Sequence, residues 1–265
     1  MRAATRVRVA DGVSLIDTAA DGAAEGPAVL LLHGIGGNAR SCGPLAEALA
    51  GHGHRVLAWD APGYGESAEP LEPVDYPARV VQVLDELGLA QVDLFGTSWG
   101  GVIATEVAAR WPERVRSLLL ADSTRGSATD PGKAAAMRAR PAQLAELGAE
   151  QFAADRSPRL VAPDCDPAVS AAVRDEMARV RVPGYRAAAE FMAGTDTSDL
   201  LPRLTVPTLV LVGEHDEVTG VPEARLLAER IPGARFALIR GAGHAALTER
   251  PVEVAAALVD FWALL

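Results

Sequence analysis

Short apolar runs alternate with longer amphipathic stretches along most of this chain. The runs are continuously hydrophobic, which is typical of strands buried on both faces of a parallel sheet. The strands predicted by this pattern are Ala28–Leu32, Arg55–Trp59, Val92–Phe95, Val115–Leu120, Thr208–Val212 and Arg235–Ile239. The helices predicted between and after them are Leu45–Ala50, Asp75–Leu87, Val102–Arg110, Pro222–Arg230 and Pro251–Leu264.

The N-terminal end follows a different pattern, because polar and apolar residues alternate there one by one. Thr5–Val9 and Val13–Asp17 flank Asp11-Gly12, and this arrangement predicts a β-hairpin with a tight turn. From residue 28 onwards the regular succession of strand and helix predicts right-handed crossovers. The expected fold class is therefore α/β, with a mostly parallel central sheet flanked by helices.

The succession of strand and helix stops between residues 124 and 203. This segment has no strong strand pattern, and the helices predicted within it are Lys133–Leu147, Pro167–Val180 and Pro183–Ala193. It contains no Gly/Ser tract or charge run, so it does not resemble a linker. We therefore predict a core domain of residues 1–123 and 204–265 and an inserted helical cap, or lid, of residues 124–203.

Composition narrows the classes of partner. The chain has 265 residues, and its formal net charge of −10 argues against nucleic acid or an anionic membrane surface as a partner. Cys42 and Cys165 have neither metal-binding nor redox spacing. Residues Met1–Val9 lack the apolar core of a signal peptide, and no apolar run is long enough to span a bilayer. A cytoplasmic protein is expected.

A glycine-rich turn joins the predicted strand Val92–Phe95 to the following helix. Residues 96–101 read Gly-Thr-Ser-Trp-Gly-Gly, so Ser98 has a glycine two residues away on each side. Glycines without a Cβ let strand and helix approach closely, and a strained backbone then projects the serine hydroxyl from the turn. This context predicts a nucleophile at Ser98.

Polar residues also follow other strands of the predicted sheet. Asp216 follows the strand Thr208–Val212, and His244 follows Arg235–Ile239. The carboxyl ends of parallel strands share one edge of a sheet, so both residues can approach Ser98. We expect His244 to act as general base and Asp216 to orient it. Asp122 is a rival for the acid, while Glu214 and Glu217 are weaker candidates.

An oxyanion formed on the substrate needs hydrogen-bond donors. The candidates are the backbone N–H of Trp99, directly after the serine, and that of Ile35, in the loop His33–Asn38. His33 itself is expected to be structural and to hold loops by hydrogen bonds.

The sequence also offers residues that can bind the substrate. Candidate substrate-binding residues are Trp99, Arg125, Tyr185 and Phe191, with Met177 and Met192 beside them. Arg125 can hold a carboxylate or be a surface arginine, and the aromatic and Met residues can instead pack the cap itself.

These motifs together resemble those of the α/β-hydrolase fold family. The resemblance covers almost the whole chain: His33-Gly34, the segment Asp60–Ser67, the turn at Ser98, Gly213–Asp216 and Gly243-His244 occur in family order. Within the family the chain is most similar to lactonases and esterases of the 3-oxoadipate enol-lactonase type. Many relatives carry Met where this chain has Trp99, which implies a bulkier pocket floor here.

The sequence thus predicts a serine hydrolase that cleaves a carboxylic ester or lactone through an acyl-enzyme. No metal or organic cofactor is implied, and the expected partner is a small molecule with an apolar part, bound by a monomer or homodimer. Two alternatives remain open. One is a carbon–carbon bond hydrolase, or a related lyase or thioesterase, with the same triad; the other is a non-catalytic ligand receptor on this fold.

Overall fold

A computed structural model describes residues 4–9, 12–19, 26–70 and 73–265 of the chain. Three predictions fall partly outside these ranges. They concern Asp11 in the hairpin turn, residues 1–3 of the N-terminal segment, and residues 21–25 of the loop before the first buried strand.

The described residues contain a single mixed sheet. Its strands are β1 (Thr5–Arg8), β2 (Ser14–Thr18), β3 (Val29–Leu32), β4 (Val56–Asp60), β5 (Val92–Thr97), β6 (Val115–Ala121), β7 (Thr208–Gly213) and β8 (Arg235–Ile239). They lie in the order β1-β2-β4-β3-β5-β6-β7-β8. β1 and β2 pair antiparallel as the predicted hairpin, and the strands from β4 to β8 are parallel. The predicted α/β fold with a mostly parallel sheet is confirmed.

Nine α-helices are found among the described residues. They are α1 (Gly43–Gly51), α2 (Tyr76–Glu86), α3 (Trp99–Arg110), α4 (Pro131–Arg156), α5 (Pro167–Met177), α6 (Val182–Gly194), α7 (Val221–Arg230), α8 (Ala246–Glu249) and α9 (Pro251–Trp262). α2, α3 and α7 pack on one face of the sheet, whereas α1 and α9 pack on the other. None of these helices is both long and apolar enough to cross a membrane.

Two helices differ from their sequence predictions. α4 consists of two helical stretches that meet at Gly148, whose φ of 75° and ψ of 160° are not helical; the first stretch ends at Leu147 as predicted, and the second, which continues to Arg156, was not predicted. A glycine adopts this conformation without steric strain, so helical residues follow on both sides. The pattern also missed α8, which is too short to show a helical period.

The helices α4, α5 and α6 lie between β6 and β7 in the chain. Their buried residues, among them Met137, Phe152 and Tyr185, join the hydrophobic cluster that contains Trp99 and Ile103 of the sheet-packing helix α3. The inserted helices therefore share one core with the sheet and are not a separate hydrophobic unit. Their position, directly after the C-terminal end of β6, brings them to the edge of the sheet where Ser98 lies.

The direction in which successive strands are added to the sheet reverses at β3. β3 pairs with β4 on one side and with β5 on the other, although β4 precedes β5 in the sequence. Crevices open at such points in α/β sheets, because the two following loops lead in opposite directions. The loop after β3 and the turn after β5 border this crevice.

Close packing at the end of β5 depends on a missing side chain. A Cβ on Gly100 would collide with the carbonyl group of Leu32 in β3, and one on Gly96 would collide with the backbone of Gly100. Backbone atoms at the centre of a sheet cannot move aside as the end of a flexible side chain can. We expect Gly100→Ala to lower the free energy of unfolding by about 1–3 kcal/mol or more, measured by urea denaturation.

Gly51 offers the matched control for this substitution. It ends α1, its φ is not positive, and a methyl group at its Cα would have no atom within 4 Å. Gly51→Ala should leave stability unchanged or raise it by up to about 1 kcal/mol, because alanine restricts the unfolded chain. Equal stability of the two variants would contradict the packing argument.

Candidate active site

Ser98 occupies the sharp turn between β5 and α3. Its backbone has φ 52° and ψ −116°, a conformation that is strained for any residue with a side chain. Two contacts hold it there: the Ser98 N–H donates to the Ala121 carbonyl at 2.9 Å, and the Ser123 hydroxyl donates to the Ser98 carbonyl at 3.1 Å. The hydroxyl of Ser98 therefore sits on a fixed, strained backbone at the edge of the sheet.

Asp216 and His244 meet in space, although 28 positions separate them in the sequence. Asp216 follows β7 and His244 follows β8, so the parallel pairing of these strands brings their loops together. His244 Nδ1 lies 3.1 Å from both carboxylate oxygens of Asp216. This contact holds the imidazole with Nδ1 towards the acid and leaves Nε2 as the basic nitrogen.

The surroundings of Asp216 favour its ionised form. Its carboxylate also accepts hydrogen bonds from the N–H groups of Val218 and Thr219, at 2.7 and 3.1 Å, and from the Thr219 hydroxyl. Burial alone would raise the pKa of Asp216, but the hydrogen bond and charge of His244, with the Thr219 and Val218 donors, hold it well below its usual range. Asp216 can therefore balance a positive charge on His244.

Asp122, the rival acid, lies in a different environment. It is fully buried with φ 47°, one oxygen accepts from the Gly213 N–H at 2.7 Å, and the other has no partner among the described residues. Burial raises its pKa well above the usual value, and the negative charge of Asp216 raises it further. Asp216 contacts His244 Nδ1, whereas Asp122 makes no hydrogen bond to His244 among the described residues, so the geometry favours Asp216 as the acid.

Glu214 and Glu217 are both exposed to solvent. One carboxylate oxygen of Glu214 accepts a hydrogen bond from the Gly241 N–H at 3.1 Å. Neither side chain contacts His244 in the part of the chain that the structure describes.

Ser98 and His244 border the same cavity, of about 520 Å³. No hydrogen bond joins Ser98 Oγ to His244 Nε2 among the described residues, so both atoms are free to engage a bound molecule. Such contacts between nucleophile and base are often long in a free enzyme and shorten in the complex with substrate.

The two candidate oxyanion donors border this cavity as well. Trp99 is the first residue of α3, and Ile35 lies in the turn after β3. Neither backbone N–H donates to another group in the described residues, so both are available to a substrate oxygen. The dipole of α3 adds to this, because the positive end of the helix lies at Ser98.

His33 is a structural residue. Its Nδ1 donates to the Gly34 carbonyl at 2.8 Å, and its Nε2 accepts from the Ala61 N–H at 3.1 Å. Burial lowers its pKa, so the ring is neutral and both nitrogens are occupied. His33 thus ties the loop that carries Ile35 to the segment after β4, as the sequence predicted.

The predicted substrate-binding residues separate into two groups. Trp99, Tyr185, Met177 and Met192 border the cavity. Arg125 and Phe191 do not. Arg125 forms an ion pair with Glu223 at 2.9 Å, and Phe191 packs against the ring of Tyr76. The predicted contact of these two residues with the substrate is therefore corrected. Each side chain instead contacts a residue that is distant in the sequence, which no local pattern indicated.

Two supporting residues were missed in the sequence. Thr219 caps Asp216, as described above, and the Asx-like spacing Asp-x-x-Thr was a usable signal for it. Glu249 is buried and accepts from the N–H groups of Gly243 and Ala162, each at 2.8 Å. It thereby joins the loop of His244 to the inserted segment, and no local pattern indicated this.

Comparisons with known proteins agree with this geometry. The family model described as alpha/beta hydrolase fold matches residues 27–251. A poly(3-hydroxyalkanoate) depolymerase from Ectopseudomonas oleovorans is 30% identical over 249 residues, covering 88% of this chain and 83% of that protein. A thermophilic esterase from Thermogutta terrifontis, solved with malate bound, superposes with a TM-score of 0.88 at 27% identity and 98% coverage of both chains. An enol-lactonase from Burkholderia xenovorans LB400 gives 0.85 at 26% identity, covering 98% of this chain and all of that one.

The two carboxyls at the ends of β6 and β7 should differ in their effect on rate. We expect Asp216→Asn to lower kcat for an ester by about 10³–10⁴-fold, since the amide cannot stabilise the imidazolium. Asp122→Asn should stay within about tenfold of the wild type, because Asp122 makes no hydrogen bond to His244 among the described residues. Steady-state ester hydrolysis measures both. The reverse order of the two losses would assign the acid to Asp122.

The same two carboxyls should have opposite effects on the pH dependence of stability. The pKa of Asp122 is higher in the folded than in the unfolded state, so its contribution favours folding below about pH 4 and is lost as pH rises. Asp122→Asn should therefore gain stability relative to wild type as pH increases from about 4 to 8. Urea denaturation across this range measures the difference.

Asp216 is the control of opposite sign. Its pKa is lower in the folded state, so its stabilising contribution is complete above about pH 4 and is lost as pH falls through the folded pKa. Asp216→Asn should be less stable than wild type at neutral pH, and the deficit should shrink on acidification. Parallel pH profiles for the two variants would refute the assigned ionisation states.

Proposed function

Because the chain belongs to the alpha/beta hydrolase fold family, we propose that it is a serine hydrolase that cleaves a carboxylic ester or lactone of a small molecule through an acyl-enzyme. Enzymes of this fold, including the depolymerase, esterase and enol-lactonase above, are its relatives. One observation carries the proposal: the His244–Asp216 pair faces the same cavity as the strained Ser98.

The first half of the reaction follows from the positions of these groups. Ser98 Oγ attacks the substrate carbonyl while His244 Nε2 takes the hydroxyl proton, and Asp216 balances the charge that forms on the ring. The carbonyl oxygen becomes an anion held by the N–H groups of Ile35 and Trp99, each contributing about 3–4 kcal/mol. The tetrahedral intermediate collapses when His244 returns its proton to the leaving alkoxide.

The second half reverses these roles. The alcohol of an ester departs, whereas the alkoxide of a lactone stays attached as part of the acyl chain. A water molecule then gives its proton to His244 and attacks the acyl-enzyme, and collapse returns the proton to Ser98 Oγ. Every proton passes through His244, so the chemistry needs no further acid or base.

The inserted helices complete the site in this proposal. Tyr185 and Met192 of α6 and Met137 of α4 border the cavity opposite the loops of the sheet. We assign residues 124–203 the part of a cap that covers the acyl pocket and restricts water around the acyl-enzyme. The apolar side chains fit a substrate with an apolar part.

The strained backbone of Ser98 supports turnover over the receptor alternative. Strain of this kind lowers stability and persists where it serves a site, and here it presents a hydroxyl at the cavity that the His244–Asp216 pair also faces. Carbon–carbon hydrolysis would use the same residues, and no contact in the cavity favours it over ester hydrolysis.

A mechanism-based probe tests the nucleophile directly. Intact mass after exposure to a small, unbranched fluorophosphonate should show one adduct on the wild type and none on Ser98→Ala. Asp216→Asn should label more slowly by about a thousandfold, because the base loses its partner. Absence of the adduct on the folded wild-type protein would refute an activated serine.

A panel of neutral substrates tests the reaction class. Short-chain aryl esters and simple lactones should be hydrolysed by the wild type and not by Ser98→Ala. A vinylogous diketone should remain intact. Turnover of the diketone without the esters would select the carbon–carbon alternative, and tight binding without any product would select the receptor.

A further inference from the structure

The cavity at Ser98 is unusually rich in positive charge for a protein with a formal net charge of −10. Its charged lining residues comprise five cationic side chains and three acidic ones. The cationic residues are Arg40, Lys133, Arg140, Arg156 and Arg159, and the acidic residues are Asp155, Glu176 and Glu223. Whether this excess is available to a ligand depends on how each acidic group is occupied.

The acidic groups already have partners. Glu223 is bound by Arg125, and Glu176 is bound by Arg179 at 3.3 Å and by the Asn38 amide at 2.9 Å. Asp155 is exposed and accepts from the Gln151 amide at 2.7 Å. These carboxylates therefore do not neutralise the arginines of α4.

Arg140 and Arg156 form no ion pair with any residue that the structure describes. Both belong to α4 and both are partly buried. Burial and the charge of the neighbouring Arg140 lower the pKa of Arg156, so the two guanidiniums are close enough to repel each other. The Arg156 guanidinium is oriented by the Phe152 ring, whose centroid lies 5.1 Å from Cζ.

A third group beside them lacks a partner. The Tyr185 side chain is completely buried and borders the cavity, yet its hydroxyl has no hydrogen-bond partner among the described residues. Burial raises the pKa of this hydroxyl, whereas the charges of Arg140 and Arg156 and a close approach of the Arg140 side chain lower it; that approach lacks the full geometry of a hydrogen bond. A buried hydroxyl without a partner costs about 1–3 kcal/mol unless a bound molecule satisfies it.

We propose that Arg140, Arg156 and the Tyr185 hydroxyl form a binding site for a carboxylate that the substrate carries in addition to its ester or lactone carbonyl. A carboxylate matches the fork of a guanidinium and accepts a hydrogen bond from a phenol at the same time. It would remove the repulsion between the arginines and satisfy the buried hydroxyl. The assignment rests on the proposed function, and it replaces Arg125, whose fork Glu223 already fills.

The test compares two chromogenic substrates that differ in one charge. The first series consists of para-nitrophenyl half-esters of straight-chain dicarboxylic acids from adipate to suberate, and the second of the same compounds with the free acid methylated. The wild type should prefer the best half-ester over its methylated partner by about tenfold in kcat/KM, the effect of one charge-assisted hydrogen bond.

Substitutions identify the groups responsible for this preference. Arg140→Met and Arg156→Met should each remove it while leaving kcat/KM for the methylated diester within about twofold of wild type. Arg138→Met is the matched control, because Arg138 lies on the same helix but pairs with Glu190 at the surface. Tyr185→Phe should weaken the preference without loss of thermal stability, since the deleted hydroxyl has no partner among the described residues.

Binding separates a failure of this site from a failure of the proposed chemistry. The free dicarboxylates are titrated calorimetrically into Ser98→Ala, alone and combined with each arginine substitution. If esters are hydrolysed but the wild type shows no preference, or the arginine variants retain it, the carboxylate site is refuted and the hydrolase stands. If no ester is hydrolysed but dicarboxylates bind and the arginine substitutions abolish binding, the site stands and the proposed function is refuted. Absence of both turnover and binding refutes both.

Discussion

The structure depends on the close approach of three backbone segments at the end of β5. Gly96 and Gly100 leave no room for a Cβ between β5, α3 and the carbonyl of Leu32 in β3. This contact fixes the turn in which Ser98 adopts its strained backbone. It also places the N-terminus of α3 beside the loop after β3, so the N–H groups of Trp99 and Ile35 border one cavity. Packing of glycine on backbone thus determines where Ser98 lies relative to the N–H groups of Trp99 and Ile35.

The site also depends on two neighbouring carboxyls, Asp122 and Asp216, whose environments have opposite effects on their ionisation. Asp122 and Asp216 follow neighbouring strands, and the charge of Asp216 disfavours ionisation of Asp122. Donors from Thr219, Val218 and His244 stabilise the ionised Asp216, whereas burial of Asp122 outweighs the effect of its backbone donors, the Gly213 N–H among them. One negative charge therefore faces the imidazole. Asp122 also supports the segment of Asp216, because its hydrogen bond from the Gly213 N–H holds the end of β7, where the Asp216 loop starts.

The inserted helices contribute unpaired cationic side chains and a buried hydroxyl to the lining of the cavity. The core carries Ser98, Asp216 and His244, on the alpha/beta hydrolase fold that the family model identifies. Helix α4 supplies Arg140 and Arg156, which have no partner of opposite charge in the described residues, and α6 supplies the unsatisfied hydroxyl of Tyr185. Unpaired charge of this kind lowers stability in the empty protein. Because these unpaired charges lie together on the inserted helices, we expect them, rather than Ser98, to determine which substrates the protein prefers.

The sequence alone determined the α/β class, the succession of strand-forming segments along the chain, and the candidate positions of the nucleophile and its oxyanion donors. These follow from local signals: apolar runs, glycine spacing and a strand-to-helix turn. Tertiary structure brought the predicted acid, Asp216, against His244, paired Arg125 with Glu223, left Arg140 and Arg156 without an ion pair among the described residues, and revealed Glu249 as a support of the His244 loop. The physical reason is that ionisation and pairing depend on the distances between charges and on burial. Partners such as Arg125 and Glu223 are 98 positions apart, and no local pattern records that distance.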